Sequence, residues 1–185
     1  MEAEKIKESK SPKCQVKQCL LPRSLNLTLI GLGLALVLFI SDQVTKILAR
    51  NFVLDNGGHL EVFPFFNLVH VWNEGVSFGM MQAGTNEGVY LLIAVATVIT
   101  ALFLVILMKA DHIVTAIGCG TIIGGSCGNI LDRVQYGAVY DFLDFHIYEN
   151  HWPAFNVADC CVVIGIAIIA YDSLFLSSKS EEKKS

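Results

Sequence analysis

Four long apolar stretches constrain the fold of this chain more than any other feature. They cover about residues 25–44, 88–108, 113–131 and 154–176. A helix needs about 20 mostly apolar residues to cross the hydrocarbon core of a bilayer, and each stretch is close to that length. The composition agrees, since 54% of the 185 residues are hydrophobic and 16% are charged, against about 25% charged in soluble domains. The sequence therefore predicts four transmembrane helices.

The glycines in the third stretch have two possible explanations. Residues 124–128, GGSCG, fit G-x-S-x-G, the serine-hydrolase motif that requires a strand before the serine and a helix after it. Gly120, Gly124 and Gly128 also recur every four residues, a spacing that lets transmembrane helices pack closely. We favour helix packing, because the motif lies inside an apolar stretch and nothing ties a histidine to Ser126.

The distribution of lysine and arginine indicates the orientation of the helices. Of the 13 basic residues, ten lie before the first stretch, after the second or after the fourth. Because cytoplasmic segments carry an excess of basic residues, we expect both termini in the cytoplasm and two loops outside. The ten are Lys5, Lys7, Lys10, Lys13, Lys17, Arg23, Lys109, Lys179, Lys183 and Lys184, and the other three are Lys46, Arg50 and Arg133.

One domain, about residues 25–177, is predicted between two polar tails. Residues 1–24 are expected to be a disordered, basic cytoplasmic tail, and residues 178–185 a second cytoplasmic tail. The first stretch is predicted to be an uncleaved anchor, since no A-x-A-like cleavage site follows it. Cys14 and Cys19 lie in the first tail and the other four cysteines in apolar stretches, so we expect neither a disulfide framework nor a zinc site.

The two outer loops have different compositions. In the first, residues 51–86, the turn signal DNGG at 55–58 separates NFVL from HLEVF, and another turn is predicted at 73–75. We expect a small sheet of three or four short strands there, on the outer membrane face. The second loop, residues 133–153, is rich in aromatic residues and is predicted to lie along the membrane interface, partly as a helix.

Carboxylates near the outer ends of the predicted helices are candidates for function, because charge is costly near hydrocarbon. Asp159 stands out, since an apolar run without a cation follows it. A second carboxyl beside it would let the two share one proton and act as base and acid, an arrangement that hydrolyses peptide bonds with water. The residues alone leave the partner open between Asp141, predicted in a loop, and Asp132, for which the adjacent Arg133 indicates charge balance.

Other interpretations of the polar residues are weaker. Asp42 and Lys46 are spaced i,i+4, which predicts an interfacial ion pair. A carrier or channel that uses acidic residues as a proton or ion relay is the competing class, but it needs polar residues through the depth of the bilayer. No H-E-x-x-H motif is present, which excludes the common metalloprotease pattern. No metal, cofactor or nucleic-acid partner is expected.

Five stretches together resemble lipoprotein signal peptidase (signal peptidase II), a family of bacterial intramembrane aspartyl proteases. They occur in the order and spacing of the family over about residues 25–177. Ser77 departs from the pattern, in which alanine is commoner, and the basic leader is longer than usual. The stretches are DQVTK at 42–46, NEGVSFG at 73–79, GGSCGNILDR at 124–133, VYDF at 139–142 and FNVAD at 155–159.

The resemblance implies an enzyme that removes signal peptides from diacylglyceryl-modified prolipoproteins, just before the lipid-bearing cysteine, at the outer face of the bacterial inner membrane. It implies four transmembrane helices, a β-cradle, and an amphipathic helix on the membrane between spans three and four. It also implies membrane lipid as a partner and globomycin as an inhibitor. The implied catalytic pair is Asp141 and Asp159. The implied supporting residues are Asp42, Lys46, Asn73, Gly75, Asn129, Asp132, Arg133, Asn156 and Ala158.

Overall fold

The computed structural model describes residues 23–75 and 86–176. Four helices in these ranges are long and apolar enough to cross a membrane, which confirms the predicted number. Residues 1–22 of the basic tail, the predicted C-terminal tail, Cys14, Cys19 and Ser77 lie outside the described residues. The helices are α1 (Arg23–Asp55), α2 (Asn86–Met108), α3 (Ile113–Tyr136) and α4 (Val157–Tyr171), which continues as a π-helical turn, Asp172–Leu176.

Helix α3 is the centre of the bundle and contacts each of the other three helices. Its glycines make the close approach possible. A Cβ atom at Gly124 would lie 2.6 Å from the carbonyl oxygen of Ala35, and one at Gly120 would clash with the backbone of Gly31. The packing explanation of the glycine repeat is therefore confirmed. Ser126 lies inside α3 with no strand before it, so the serine-hydrolase motif lacks the structure it requires.

An apolar core fills the half of the bundle that contains the end of α2 and the start of α3; we call this half inner, and the opposite end, which carries Asp42 and Asp132, outer. Leu107 of α2, Ala116 and Cys119 of α3 and Leu27 of α1 are among its buried members. Because lipid is as apolar as these side chains, close packing holds them together more than the hydrophobic effect does. Polar side chains concentrate at the other end, so the fold separates an apolar inner half from a polar outer end.

A four-stranded antiparallel sheet with the order β1-β2-β3-β4 contacts the outer ends of α1 and α3. The predicted small sheet is confirmed, but only two of its strands come from the first outer loop. The other two come from the second loop: β3 pairs with β2, whose free edge would otherwise leave backbone groups without partners, and β4 pairs with β3. The strands are β1 (His59–Phe63), β2 (Phe66–Asn73), β3 (Val139–Ile147) and β4 (Asn150–His151).

Two predictions about the loops were wrong. Residues 51–55 continue α1, with Val53 fully buried, so the DNGG turn joins a helix to β1 and does not join two strands. Gly57 and Gly58 make this exit with φ of 84° and 88°, values that glycine adopts without strain. No interfacial helix forms between α3 and α4, because residues 139–147 alternate in a strand paired along β2.

Candidate active site

Strand β3 positions Asp141 at the outer end of the bundle. Asp141 was expected in a loop, but it lies opposite Val71 in the ladder between β2 and β3, where its side chain is buried. Its Oδ2 accepts a hydrogen bond from Asn73 Nδ2 at 3.0 Å, and its Oδ1 accepts one from Asn156 Nδ2 at 2.6 Å. A strand holds a side chain more rigidly than a loop does, so the direction of this carboxyl is fixed by the sheet.

The turn at the end of β2 fixes the orientation of Asn73. The backbone N–H of Gly75 donates to Asn73 Oδ1 at 3.1 Å, so the amide nitrogen is the end that faces Asp141. Gly75 has φ of 128°, a conformation that glycine adopts far more readily than other residues. The predicted turn at 73–75 is therefore present, and it explains why glycine accompanies the asparagine.

The start of α4 positions Asp159. Phe155 pairs with Leu143 of β3 through backbone hydrogen bonds, and Asn156 then caps the helix. Asn156 Oδ1 accepts from the backbone N–H of Asp159 at 3.1 Å, and Asp159 Oδ2 accepts from the backbone N–H of Asn156 at 3.1 Å. This is a capping box. It places the carboxylate in the first helical turn, where the helix dipole favours negative charge.

Two asparagines hold the carboxyls of Asp141 and Asp159 next to each other. The side chain of Asn156 donates to Asp141 while its backbone N–H donates to Asp159. Asn129 of α3 donates to Asp159 Oδ1 at 2.8 Å, and its own oxygen accepts from Asn156 Nδ2 at 3.2 Å. The sequence-predicted pair is therefore brought together. We call Asp141 and Asp159 the dyad.

Burial raises the pKa of Asp141 from an ordinary 3.8 to about 6. The nearby charge of Asp159 also raises this pKa, whereas the hydrogen bonds from Asn73 and Asn156 lower it. Asp141 is 1% exposed and Asp159 is half-buried. A carboxyl that titrates near pH 6 can hold a proton and release it in the range where enzymes work.

A second group of carboxylates lies beside the dyad. Lys46 Nζ lies 2.8 Å from both Asp42 Oδ2 and Asp132 Oδ2, and we call these three residues the ionic cluster. The predicted pair of Asp42 and Lys46 is confirmed. The predicted charge balance between Asp132 and Arg133 is present only as an electrostatic interaction without an ion pair, and the cation in contact with Asp132 is Lys46. Gln43, which the sequence analysis overlooked, donates to both carboxylates at 3.1 Å; its position inside the DQVTK stretch was the available signal.

The ionic cluster connects several elements of the fold to the dyad. Asp42 Oδ1 accepts from the backbone N–H of Ala158 at 2.9 Å, and a Cβ atom at Gly128 would clash with the Asp42 carboxylate. Lys46 also donates to Asn129 Oδ1 at 3.1 Å. Since Asn129 donates to Asp159, the cluster sets the direction of an amide that the dyad uses.

Arg133 lies beside the dyad without a complete set of partners. Its guanidinium interacts electrostatically with Asp159 and Asp141, and its Nη1 donates weakly to the carbonyl of Asn129 at 3.4 Å. Its buried Nε has no hydrogen-bond partner among the residues that the structure describes. A buried donor without a partner is costly, so this nitrogen is available to a bound group.

The described residues show neither a metal site nor a polar path through the bundle. No group of three or more His, Cys, Asp or Glu side chains in residues 23–75 and 86–176 could hold a metal ion. Most buried polar side chains among the same residues lie at the outer end, and Asp172 lies near the inner end of α4. Between these two levels, Thr121 is the one buried polar side chain of the described residues. A carrier or channel would need polar groups at intermediate depth.

Comparisons with known proteins agree with this geometry. The family model of signal peptidase (SPase) II matches residues 34–175. The lipoprotein signal peptidase of Anaplasma marginale (strain Florida) is 40% identical over 138 residues, which are 75% of this chain and 80% of the relative. That of Rhodopseudomonas palustris (strain ATCC BAA-98 / CGA009) is 38% identical over 152 residues, 78% of this chain and 92% of the relative.

The fold is similar to that of a bacterial membrane enzyme solved by the in meso method at 1.9 Å resolution. The TM-score is 0.66 at 25% identity, and the match covers 80% of this chain and 94% of the solved one. Both the sequence and the fold place the chain in one group of membrane enzymes. The chain belongs to the signal peptidase II family.

Proposed function

We propose that this chain is a lipoprotein signal peptidase that cleaves diacylglyceryl-modified prolipoproteins just before the lipid-bearing cysteine, with Asp141 and Asp159 as its catalytic residues. One observation carries the proposal. In a chain of this family, a single asparagine, Asn156, bonds both carboxyls at the outer end of the transmembrane bundle. Paired carboxyls that share one proton hydrolyse peptide bonds in aspartic proteases.

The environments of the two carboxyls support separate roles in the first step. Asp159, at the N-terminus of α4 and half-exposed, takes a proton from a water molecule as the base. The resulting hydroxide attacks the scissile carbonyl carbon while Asp141, whose pKa is raised to about 6, gives its proton to the carbonyl oxygen. The gem-diol then breaks its C–N bond as the proton on Asp159 passes to the leaving amine and one gem-diol hydroxyl returns its proton to Asp141, which leaves the product as a carboxylic acid.

The supporting residues position the dyad and the substrate. Asn73, held by Gly75, and Asn156 keep Asp141 in place, and Asn129 keeps Asp159 in place. The unpartnered Arg133 Nε is available to a carbonyl of the substrate backbone. The contacts of Asp42, Lys46, Asp132 and Ala158 join α1, α3 and α4 around the site.

The same proposal includes the placement of the chain in the membrane. The basic residues favour cytoplasmic termini in the bacterial inner membrane, with the dyad and the sheet at the outer face. The two acyl chains of the substrate would lie in lipid against the apolar helices, which contributes about 0.8 kcal/mol per buried methylene. Strong binding of the lipid anchor would let a small polar site act with few contacts to the peptide.

The purified protein tests this function. We expect it to cleave a peptide whose cysteine carries diacylglyceryl, to leave the unmodified peptide intact, and to be inhibited by globomycin. Equal cleavage of both peptides would contradict the substrate assignment. Proton flux through protein-containing vesicles without any peptidase activity would favour the carrier class instead.

A further inference from the structure

Two cavities lie between α1 and α3. The upper cavity has a volume of about 230 Å³, and its lining includes Ile47, Arg50, Gln135, Trp72 and Tyr136. The lower cavity has a volume of about 310 Å³ and is lined by Ala35, Leu36, Phe39, Ile123, Gly124 and Cys127. The upper cavity is rimmed by polar and aromatic groups, whereas the lower one is apolar.

The two cavities lie one below the other along the same faces of α1 and α3, and we call them together the crevice. Leu36 and Ile47, on α1, are eleven residues apart, and so are Gly124 and Gln135, on α3. Eleven residues make almost three whole helical turns, so both helices present the same face to both cavities. The helices run in parallel, as the contacts of Gly124 with Ala35 and of Asp132 with Lys46 show. The lower cavity therefore lies about 16 Å below the upper one.

The depth of this crevice matches one leaflet of a bilayer. If the hydrocarbon core begins at Leu25, about 20 residues of α1 cross its roughly 30 Å. Arg50 is six residues beyond that point, about 9 Å further along the helix and therefore at the level of the lipid headgroups. Leu36 and Phe39 of the lower cavity lie about 17–21 Å below Arg50 along the helix, and therefore among the acyl chains.

The upper cavity carries a cation without a carboxylate partner. None of the ion pairs in the described part of the chain includes Arg50, and its guanidinium lies 6.0 Å from the centroid of the Trp72 ring. The nearest lining carboxylate, Asp132, is already bonded by Lys46 and Gln43. Lys46 and Asp132 pair with each other, and the carboxylate of Asp42, which shares Lys46, does not line this cavity. Arg50 is therefore the charged side chain of this lining that has no ion pair.

We propose that the crevice between α1 and α3 binds an anionic glycerophospholipid from the outer leaflet, with its phosphate at Arg50 and an acyl chain in the lower cavity. Guanidinium groups bind phosphate through two parallel hydrogen bonds, and Trp and Tyr rings favour the headgroup level. The crevice combines an arginine at the level of the lipid headgroups with an apolar cavity at the level of the acyl chains. A substrate diacylglyceryl group carries no phosphate and would leave Arg50 without a partner. The proposal is independent of the peptidase activity.

The test measures lipid binding by the purified full chain in detergent. Native mass spectrometry gives the affinity of the first bound phosphatidylglycerol and of phosphatidylcholine with the same acyl chains. We expect the wild type to prefer phosphatidylglycerol, Arg50→Gln to lose about fivefold of that preference, and Arg50→Lys to keep most of it. Lys109→Gln, which removes an exposed cation at the inner end of α2, is the matched control and should keep the preference.

The lower cavity is tested with Cys127→Phe, whose larger side chain fills it. We expect weaker binding of long-chain phosphatidylglycerol and unchanged binding of the dihexanoyl form, whose chains are too short to reach this depth. Equal affinity of the wild type for the two headgroups, or an unchanged preference in Arg50→Gln, would overturn the proposal. Displacement of the lipid by millimolar inorganic phosphate would show a phosphate site without an acyl site. A raised KM for the lipidated peptide in Cys127→Phe, with unchanged lipid binding, would assign the crevice to the substrate.

Discussion

Two pairs of carboxyl groups lie side by side in this protein, and they differ in the groups that contact them. In the ionic cluster, one ammonium group, that of Lys46, lies 2.8 Å from both Asp42 and Asp132. In the dyad, Asp141 and Asp159 receive hydrogen bonds only from amides among the contacts described. The two carboxylates of the ionic cluster have a positive charge between them, whereas the amides around the dyad donate hydrogen bonds without a charge and leave a carboxyl able to hold a proton.

This contrast indicates how neighbouring polar groups can have different roles: the ionic cluster stabilises the fold, and the dyad is reactive. Breaking a buried ion pair by removing one partner is strongly destabilising, so the cluster holds the helices in fixed positions. The dyad gains less stability from its neighbours, because burial works against the charge of Asp141. Asn129 connects the two groups, since it accepts from Lys46 and donates to Asp159.

The largest expected effect is on the rate of cleavage, and it distinguishes the dyad from the carboxylates of the ionic cluster. Asp141→Asn and Asp159→Asn should each lower kcat for the lipidated peptide by at least about a thousandfold, because either change removes the base or the acid. Asp132→Asn, the matched change in the ionic cluster, should lower kcat by less than about tenfold. The measurement is single-turnover cleavage with saturating enzyme. Near-wild-type cleavage by Asp141→Asn, with loss in Asp132→Asn, would instead pair Asp132 with Asp159.

The next effect separates the pairs by stability. Lys46→Met leaves two buried carboxylates without their cation and should lower the free energy of unfolding by about 3–5 kcal/mol. Asp141→Asn keeps the hydrogen-bonding shape of the side chain and should cost far less. Thermal or denaturant unfolding in detergent measures both. Equal loss of stability in the two variants would contradict a stabilising role that belongs to the ionic cluster and not to the dyad.

A pH-dependent difference between the wild type and Asp141→Asn is expected because burial raises the pKa of Asp141. Asp141 has a folded-state pKa of about 6 against an ordinary 3.8, so the stability that its protonated form contributes is complete below about pH 4. That contribution is lost as pH rises through about 6. Asp141→Asn stays neutral, so its stability relative to the wild type should rise by about 1–3 kcal/mol between pH 4 and pH 7. If the free energies of unfolding of the wild type and of Asp141→Asn changed equally between pH 4 and pH 7, the raised pKa of Asp141 would be contradicted.

Much of this architecture could be predicted from the sequence because its signals are local. The number of spans follows from apolar length, and the close approach of α1 and α3 follows from a glycine every fourth residue. The start of α4 is also local, since Asn156 and Asp159 have the spacing of a capping box. Asp159 stood out for another local reason, the apolar run without a cation that follows it.

The parts that could not be predicted depend on contacts between distant residues. Asp141 became a candidate only through the family resemblance, because its place follows from pairing with β2, about 70 residues earlier in the chain. The partner of Asp132 was assigned to the adjacent Arg133, whereas Lys46, from another helix, lies beside it. The aromatic residues of the second outer loop suggested an interfacial helix, but part of this loop forms β3, which pairs with the edge of β2.

The smallest expected effect concerns Ser126, which belongs neither to the ionic cluster nor to the dyad. Ser126→Ala should cleave the lipidated peptide within about twofold of the wild type, because Ser126 lies inside α3 and none of the described contacts joins it to a histidine. The neighbouring Gly125→Ala is the contrasting change, since a Cβ there would clash with the carbonyl of Ala158 and push the start of α4 away from α3. That shift should weaken the bond from Ala158 to Asp42 and lower both stability and cleavage. If Ser126→Ala were inactive while Gly125→Ala cleaved normally, the serine would be the nucleophile and the dyad would be structural.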